Sequence, residues 1–296
     1  MAAQFLFLDS NIPGMGAGYR ARVYIPRGTL LFQEAPIILL AQEIPDQDRD
    51  ERIEDAVRRL PPVQFQQFEQ LQTANQFINH RPAAGKFLTN ALRCEVNNAH
   101  LAGLFLMGSR FNSSCTPNVH QHWNGNFMQF RAMTDIQPNQ ELCICYNIRK
   151  LTLPRAERRV EIEGAGGYEC RCSACLHPNH GSDARRASIG EALAIHDPNN
   201  LERVPQNFNI IHRAIQALQQ EDIHHYRDTL LYDGYLVCLT AGDINNAVLW
   251  LERAYEAAVL VVGIEDPQAQ RVRMDRLRIQ TQPARAGWMK LLPPPI

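Results

Sequence analysis

Apolar and polar positions change their spacing several times along this chain. Between residues 5 and 40, short apolar runs at 5–8, 19–25 and 29–40 are separated by Pro13-Gly14-Met15-Gly16-Ala17-Gly18 and by Pro26-Arg27-Gly28. Runs this short, punctuated by glycine and proline, predict strands joined by tight turns. From about residue 45 to 72 the chain turns charged and glutamine-rich, with Ile53, Ala56, Val57 and Leu60 at helical spacing ahead of Pro61-Pro62. A second helical run at 63–71 sets Phe65, Phe68 and Leu71 on nearby faces. A helical insertion between β segments is expected.

Apolar character returns at 87–92 and 101–107. Residues 120–123 and 126–132 then form a predicted hairpin around Asn124-Gly125, and Pro138-Asn139 makes the next turn. Glu141-Leu142-Cys143-Ile144-Cys145-Tyr146 reads as a short strand, apolar on both faces and hence buried. A charged helix is predicted over 151–163, ended by Gly164-Ala165-Gly166-Gly167. Beyond Asp183 the spacing is helical almost throughout, most clearly at 208–220, 226–240 and 246–262. Ala241-Gly242-Asp243 supplies a C-terminal glycine to one helix and an N-cap aspartate to the next. Such helix pairs resemble tetratricopeptide units, without a clean repeat period. Residues 291–296 read as a tail.

Composition adds limits rather than a function. The chain of 296 residues has room for one large domain or two ordinary ones, and 45% of it is apolar. A formal charge of −1 removes the argument for a generally basic nucleic-acid binder, so no direct nucleic-acid binding is expected. The first nine residues carry no basic segment of a signal peptide, and no apolar run approaches the roughly 18 residues of a membrane span. A soluble, intracellular, monomeric protein without membrane contact is the expectation.

Eight cysteines in a reducing compartment point to metal ligands or buried thiols. Cys170, Cys172 and Cys175 place three thiolates within six residues, and a structural zinc takes four ligands. Cys115, His177 and His180 are the candidates for the fourth. Cys94 and Cys238 have no such company and read as buried thiols, as do Cys143 and Cys145 on the predicted strand. Gly14, Gly16 and Gly18 could approach a phosphate through their backbone, but no helix signal follows them, and a glycine-rich hairpin explains them better.

Several separated blocks together resemble one family. Gly16-Ala17-Gly18-Tyr19-Arg20-Ala21 with Pro26-Arg27-Gly28, then Asn112-Ser113-Ser114-Cys115-Thr116-Pro117-Asn118, then residues 141–146, then the cysteine triplet stand in the order seen in SET-domain protein lysine methyltransferases. The likeness covers roughly residues 5–180 and is nearest the SET-and-MYND group and fungal SET proteins.

The resemblance implies an α+β chain: a β-rich SET domain at 1–163 with a pseudoknot and a helical insertion at about 43–86, a post-SET zinc segment at 164–182, and a tetratricopeptide-like all-helical region at 183–296. It implies S-adenosylmethionine and zinc as cofactors, Cys115 with Cys170, Cys172 and Cys175 as zinc ligands, and Tyr146 as the catalytic tyrosine. Gly16, Ala17, Tyr19, Asn90, Asn112, Ser113, Tyr146 and Tyr168 are implied at the cofactor. The implied activity is methyl transfer to a lysine of a histone or other protein, in nucleus or cytoplasm. The alternative is a catalytically weak SET-like interaction module with a structural zinc, and a purely structural zinc protein is a third reading. Ser113 stands where the family has histidine, and Asn139-Gln140 where it has Gly-Glu. Residues 40–90 hold no cysteine–histidine cluster, so the MYND zinc module is not expected.

Overall fold

The computed structural model of the chain describes residues 2–42, 46–96, 99–280 and 289–295. A short helix α1 (Ala2–Phe5) leads into β1 (Leu6–Ile12) and β2 (Gly16–Ala21), which pair antiparallel. Gly14 and Gly16, at φ of 74° and 77°, supply the left-handed backbone of their turn. The glycine-rich stretch is thus a hairpin, and its second strand starts at Gly16, earlier than the predicted Tyr19.

The apolar run at 29–40 becomes two strands, β3 (Leu30–Glu34) and β4 (Ile38–Ala41), in different sheets. Pro36 divides them because it has no N–H to offer a ladder. Helices α2 (Asp46–Arg58), α3 (Pro62–Glu69) and α4 (Pro82–Asn90) make up the insertion. Pro62 and Pro82 open their helices where an N–H would have no partner. Helix runs on to Asn90, so 87–90 are the last turn of α4 and not part of the apolar return. Its buried face is made of Ala83, Ala84, Gly85 and Phe87, a weak periodic signal. Residues 43–45, where the insertion was expected to begin, lie outside the described residues.

The remaining strands are β5 (Leu92–Val96), β6 (Ala99–Leu104), β7 (Asn112–Ser113), β8 (Val119–Trp123), β9 (Met128–Ala132) and β10 (Glu141–Ile144). They complete three sheets, ordered β1-β2-β10-β7, β3-β9-β8 and β4-β6-β5. The β8–β9 hairpin turns where the sequence predicts it, with Asn124 Oδ1 accepting from the backbone of Asn126 and Phe127 at 3.1 and 2.9 Å. Short β7 runs parallel to β10, pairing Asn112 with Cys143 and Ser113 with Ile144. That pairing brings two segments 31 residues apart together at the centre of the molecule.

After β10 come α5 (Arg155–Gly166), ended by left-handed Gly167, the single turn α6 (Ser173–Leu176), and helices α7 (Ser182–Leu193), α8 (Val204–Gln220), α9 (Arg227–Thr240), α10 (Ile244–Val262) and α11 (Pro267–Gln280). The last five pack in consecutive pairs, which is as far as the tetratricopeptide likeness is borne out. Asp243 caps α10 by accepting from Asn246 N at 3.3 Å, as predicted. α9 and α10 approach so closely that a Cβ at Gly234 would lie 2.2 Å from the Trp250 ring.

Residues 289–295 are not a free tail. Met289 and Leu291 pack on the helical core, and Trp250 Nε1 donates to Leu292 O at 3.0 Å. The sequence misses this because the segment is short, extended and held mainly through its backbone. Ile296 lies outside the described residues.

Three main cores result: a β core with Phe32, Phe111 and Phe130, an insertion core with Ile53, Phe68 and Phe87, and a helical core around Trp250. Cys145 and Leu151, which flank the Tyr146 segment, belong to the helical core. The arrangement is mixed α+β, with a cysteine cluster between the β-rich region and the helices. Among the described residues no helix is long and apolar enough to cross a membrane.

Candidate active site and metal centre

The Asn112–Asn118 loop is fastened to β10 by its asparagines. Asn118 takes a hydrogen bond from Cys143 N and gives one to Glu141 O, both at 2.8 Å. Asn112 Nδ2 reaches Glu141 Oε1 at 2.8 Å, and Ser114 N donates to Ile144 O at 2.9 Å. Asn112 fits only because its neighbour on β2 is Gly18, where a Cβ would stand 2.4 Å from Asn112 Nδ2. Side-chain amides serve here because each carries both donor and acceptor.

The same loop delivers Cys115 to the downstream triplet. Its sulfur is 4.0 Å from that of Cys170 and 3.7 Å from that of Cys175, while Cys170 and Cys172 are 3.5 Å apart. All four are buried, with sulfurs within 4.8 Å of one another. A tetrahedron with Zn–S bonds of about 2.3 Å has edges of about 3.8 Å, so these separations fit a four-thiolate zinc centre. Hydrogen bonds from Cys115, Cys170 and Cys175 hold the Cys172 thiol well below its usual range, and Cys115 N also points at its sulfur, 3.4 Å away. His177 and His180 are exposed and outside the cluster.

Arg186 lies behind the centre, wholly buried, and donates to Cys115 O at 3.2 Å, Leu151 O at 2.7 Å and Glu221 Oε2 at 3.0 Å. Backbone on both sides of the site is thus tied to the helical region by one planar cation.

Tyr146 follows β10, and its hydroxyl donates to Phe111 O at 2.6 Å. That carbonyl is fixed by the Phe111 ring, which stacks on Phe130 and meets Tyr19 edge-on, each at 5.0 Å. Although Tyr146 is 45% exposed, its hydroxyl end reaches inward. Burial, followed by the nearby Tyr168, Cys143 and Glu141, pushes its pKa up. Ser113 accepts from Tyr146 N at 3.3 Å and bonds to the Tyr168 hydroxyl, so this serine joins the two tyrosines. Burial raises Tyr168 as well, against that hydrogen bond.

A cavity of about 630 Å³ opens beside these groups. Asn90, Asn112, Ser113, Tyr146 and Tyr168 line it, with Cys115 at its edge toward the metal centre. Gly16, Ala17 and Tyr19 do not; Gly14 and Met15 from the same turn do, and Tyr19 packs in the β core. Asn90 contributes mostly by holding a wall, donating to Gln72 O at 2.8 Å and to Lys86 O at 2.7 Å. That wall, residues 72–77, is a part of the cavity lining that the sequence pattern does not reveal. Its polar run Gln72-Thr73-Ala74-Asn75-Gln76 has no periodicity, and its only signal is its place next to Asn90 in space. A more open depression of about 580 Å³ between α7 and α8 contains none of these groups.

The volume lies within the roughly 300–1,000 Å³ of small-molecule sites. The lining combines aromatic faces, amides and loop backbone, which suits a nucleoside bearing an amino-acid arm.

Comparison with known proteins agrees with this geometry. The SET domain family model matches residues 16–147. The chain is 28% identical over 271 residues to the histone-lysine N-methyltransferase set5 of Schizosaccharomyces pombe, covering 86% of this chain and 78% of that protein. It is 29% identical over 212 residues to the histone-lysine N-methyltransferase SMYD3 of Mus musculus, covering 65% of this chain and 48% of that one. This chain thus spans about half the length of the mouse relative. A solved structure titled as the SET domain of LSMT bound to lysine and AdoHcy aligns with 95% of this chain and 88% of that one, at 10% identity and a TM-score of 0.35, too low to add weight.

Proposed function

Because the chain belongs to the SET-domain lysine methyltransferases and is related to the fungal Set5 and SMYD proteins, we propose that it transfers a methyl group from S-adenosylmethionine to a lysine side chain of a histone or another protein. The observation that carries this reading is the meeting of the Tyr146 hydroxyl, the Phe111 carbonyl and the Asn112–Cys115 loop at one cavity.

S-adenosylmethionine, when bound, supplies a methyl group on a positively charged sulfur. Asn112, Ser113 and Tyr168, which line the cavity, would hold it, with Asn90 fixing the 72–77 wall and backbone from the Gly14–Met15 turn closing one side. Methyl transfer needs a neutral amine aligned with the carbon–sulfur bond in a site from which water is excluded. Tyr146 keeps its proton at neutral pH, since burial raises it. It therefore orients the reacting groups and does not act as base, with Phe111 O as its fixed acceptor. Cys115, Cys170, Cys172 and Cys175 would hold zinc, clamping the loop that carries Asn112 and Ser113. An intracellular setting, nuclear or cytoplasmic, belongs to the same proposal.

The test has two parts. Calorimetry on zinc-loaded protein is expected to detect S-adenosylmethionine binding, and labelled cofactor is expected to methylate lysine in a protein extract. No cofactor binding would sink the proposal. Ser113 favours a second reading, since this chain has serine where its resemblance leads one to expect histidine; binding without transfer to any protein would identify an inactive SET-like interaction module.

A further inference from the structure

Away from the cavity, helices α8 and α10 hold an extended stretch of the chain's own backbone. Asp243 Oδ2 accepts from Leu291 N at 2.8 Å, and Asn246 Nδ2 donates to Leu291 O at 2.8 Å. Trp250 Nε1 donates to Leu292 O at 3.0 Å, the His212 ring to Pro293 O, and Gln219 Nε2 to Pro295 O at 3.4 Å. The segment therefore crosses from α10 to α8, met at every second residue or closer by a helix side chain.

The chemistry of these contacts is one-sided. Every one joins a helix side chain to the segment's main chain. The groove presents an acceptor only at Leu291, which has an N–H, and donors over the prolines, which have carbonyls alone. Prolines also fix an extended backbone in advance, lowering the entropy lost on docking. Side-chain anchoring is modest: Met289 and Leu291 are half-buried on the helical core, while Leu292 is 58% exposed. Readout through main-chain bonds and two half-buried apolar side chains accepts any segment of the same backbone pattern.

We propose that the α8–α10 groove is a docking site for an extended segment in which leucines precede a run of prolines, on another protein, and that residues 289–295 occupy it in cis. Asp243, Asn246, Trp250, His212 and Gln219 form its reading edge. The cis segment shields the Trp250 edge and competes at an effective concentration on the order of millimolar, so a partner binds when that segment is released. This assignment is independent of the methyl-transfer chemistry, because no groove residue lines the cavity.

The experiment uses the full chain and a labelled peptide, Met-Lys-Leu-Leu-Pro-Pro-Pro, corresponding to residues 289–295. Leu291→Asp removes one of the two apolar anchors and sets a second carboxylate near Asp243, ejecting the cis segment. By anisotropy, this variant is expected to bind the peptide on the order of 100-fold more tightly than the unaltered chain. Adding Asn246→Ala is expected to lower that affinity, and a peptide with its prolines dispersed is expected to bind no variant. A folded Leu291→Asp chain that binds the peptide no better than the unaltered chain overturns the proposal. Hydrogen exchange on the unaltered chain covers the case of a variant that fails to fold. Excess peptide is expected to speed exchange at the Leu291 amide, and an unchanged rate also overturns the proposal. If the unaltered chain sediments as a dimer that Leu291→Asp abolishes, the occupant is a second copy and the assignment to another protein fails.

Discussion

Arg186 Nη2 donates to the carbonyl of Cys115 at 3.2 Å, joining a fully buried cation on α7 to a member of the four-cysteine cluster. The same guanidinium holds Leu151 O and Glu221. Removing it would leave two buried carbonyls without that donor and remove one partner of a carboxylate that is only 5% exposed. Arg186→Ala is expected to cost about 3–5 kcal/mol, toward the lower end because Arg185 and Ser182 still reach Glu221. Urea unfolding of the two proteins, with the same metal content, measures the difference.

Tyr146→Phe tests the hydroxyl alone. Losing one hydrogen bond to Phe111 O is expected to change stability by about 1 kcal/mol. Methyl transfer should fall by about 100-fold or more, with cofactor affinity little changed, because an orienting donor at the reacting groups acts mainly on the transition state. Single-turnover rates together with calorimetric cofactor binding separate the two effects.

Metal removal should loosen the site as a whole. Cys115 is 55 residues or more from its partners in the chain, so a bound ion closes a long loop in addition to forming four bonds. Cys172→Ser is expected to lower zinc below one per chain, as read by mass spectrometry under native conditions, and to lower the melting temperature. Retention of full zinc content and of the fold would contradict the ligand assignment.

Buried histidine gives the molecule an acid-sensitive contact. His225 is 3% exposed and lies with its ring centre 5.0 Å from that of His120 on β8. Burial first, then the neighbouring His224, lowers its pKa from 6.5 to about 4. The folded state thus keeps His225 neutral where the unfolded chain takes up a proton. The contribution is fully present above pH 6.5 and is lost as pH falls from there toward 4, amounting to about 2 kcal/mol by pH 5. Denaturant titrations at pH 7 and pH 5 should show at least this slope, and His225→Asn should reduce it, the rest coming from His120, which burial also holds well below its usual range.

Local order along the chain is carried by local chemistry, and it could be read directly. The glycine turn before β2, the Asn124 hairpin, the α9–α10 link with its Asp243 cap, and the 170–175 cysteine spacing each depend on residues within a few positions of one another. The family resemblance extended that reach to the place of Tyr146 at the cavity and of Cys115 beside the cysteine triplet, since the order of blocks carries long-range information that periodicity lacks.

What had to wait for the folded chain is everything made by two distant segments meeting through backbone groups. The 72–77 wall was silent because a polar loop takes its role from Asn90 and from the cavity it faces. Residues 291–296 read as a tail because the anchors of Leu291 and Leu292 are main-chain bonds to Asn246 and Trp250, which leave no mark on the residue pattern. Nothing in the local pattern marks Arg186, and only burial against Cys115, Leu151 and Glu221 gives it a task. Side-chain periodicity records which face of an element is dry, whereas the partner of a carbonyl or a buried charge is set by how the elements pack.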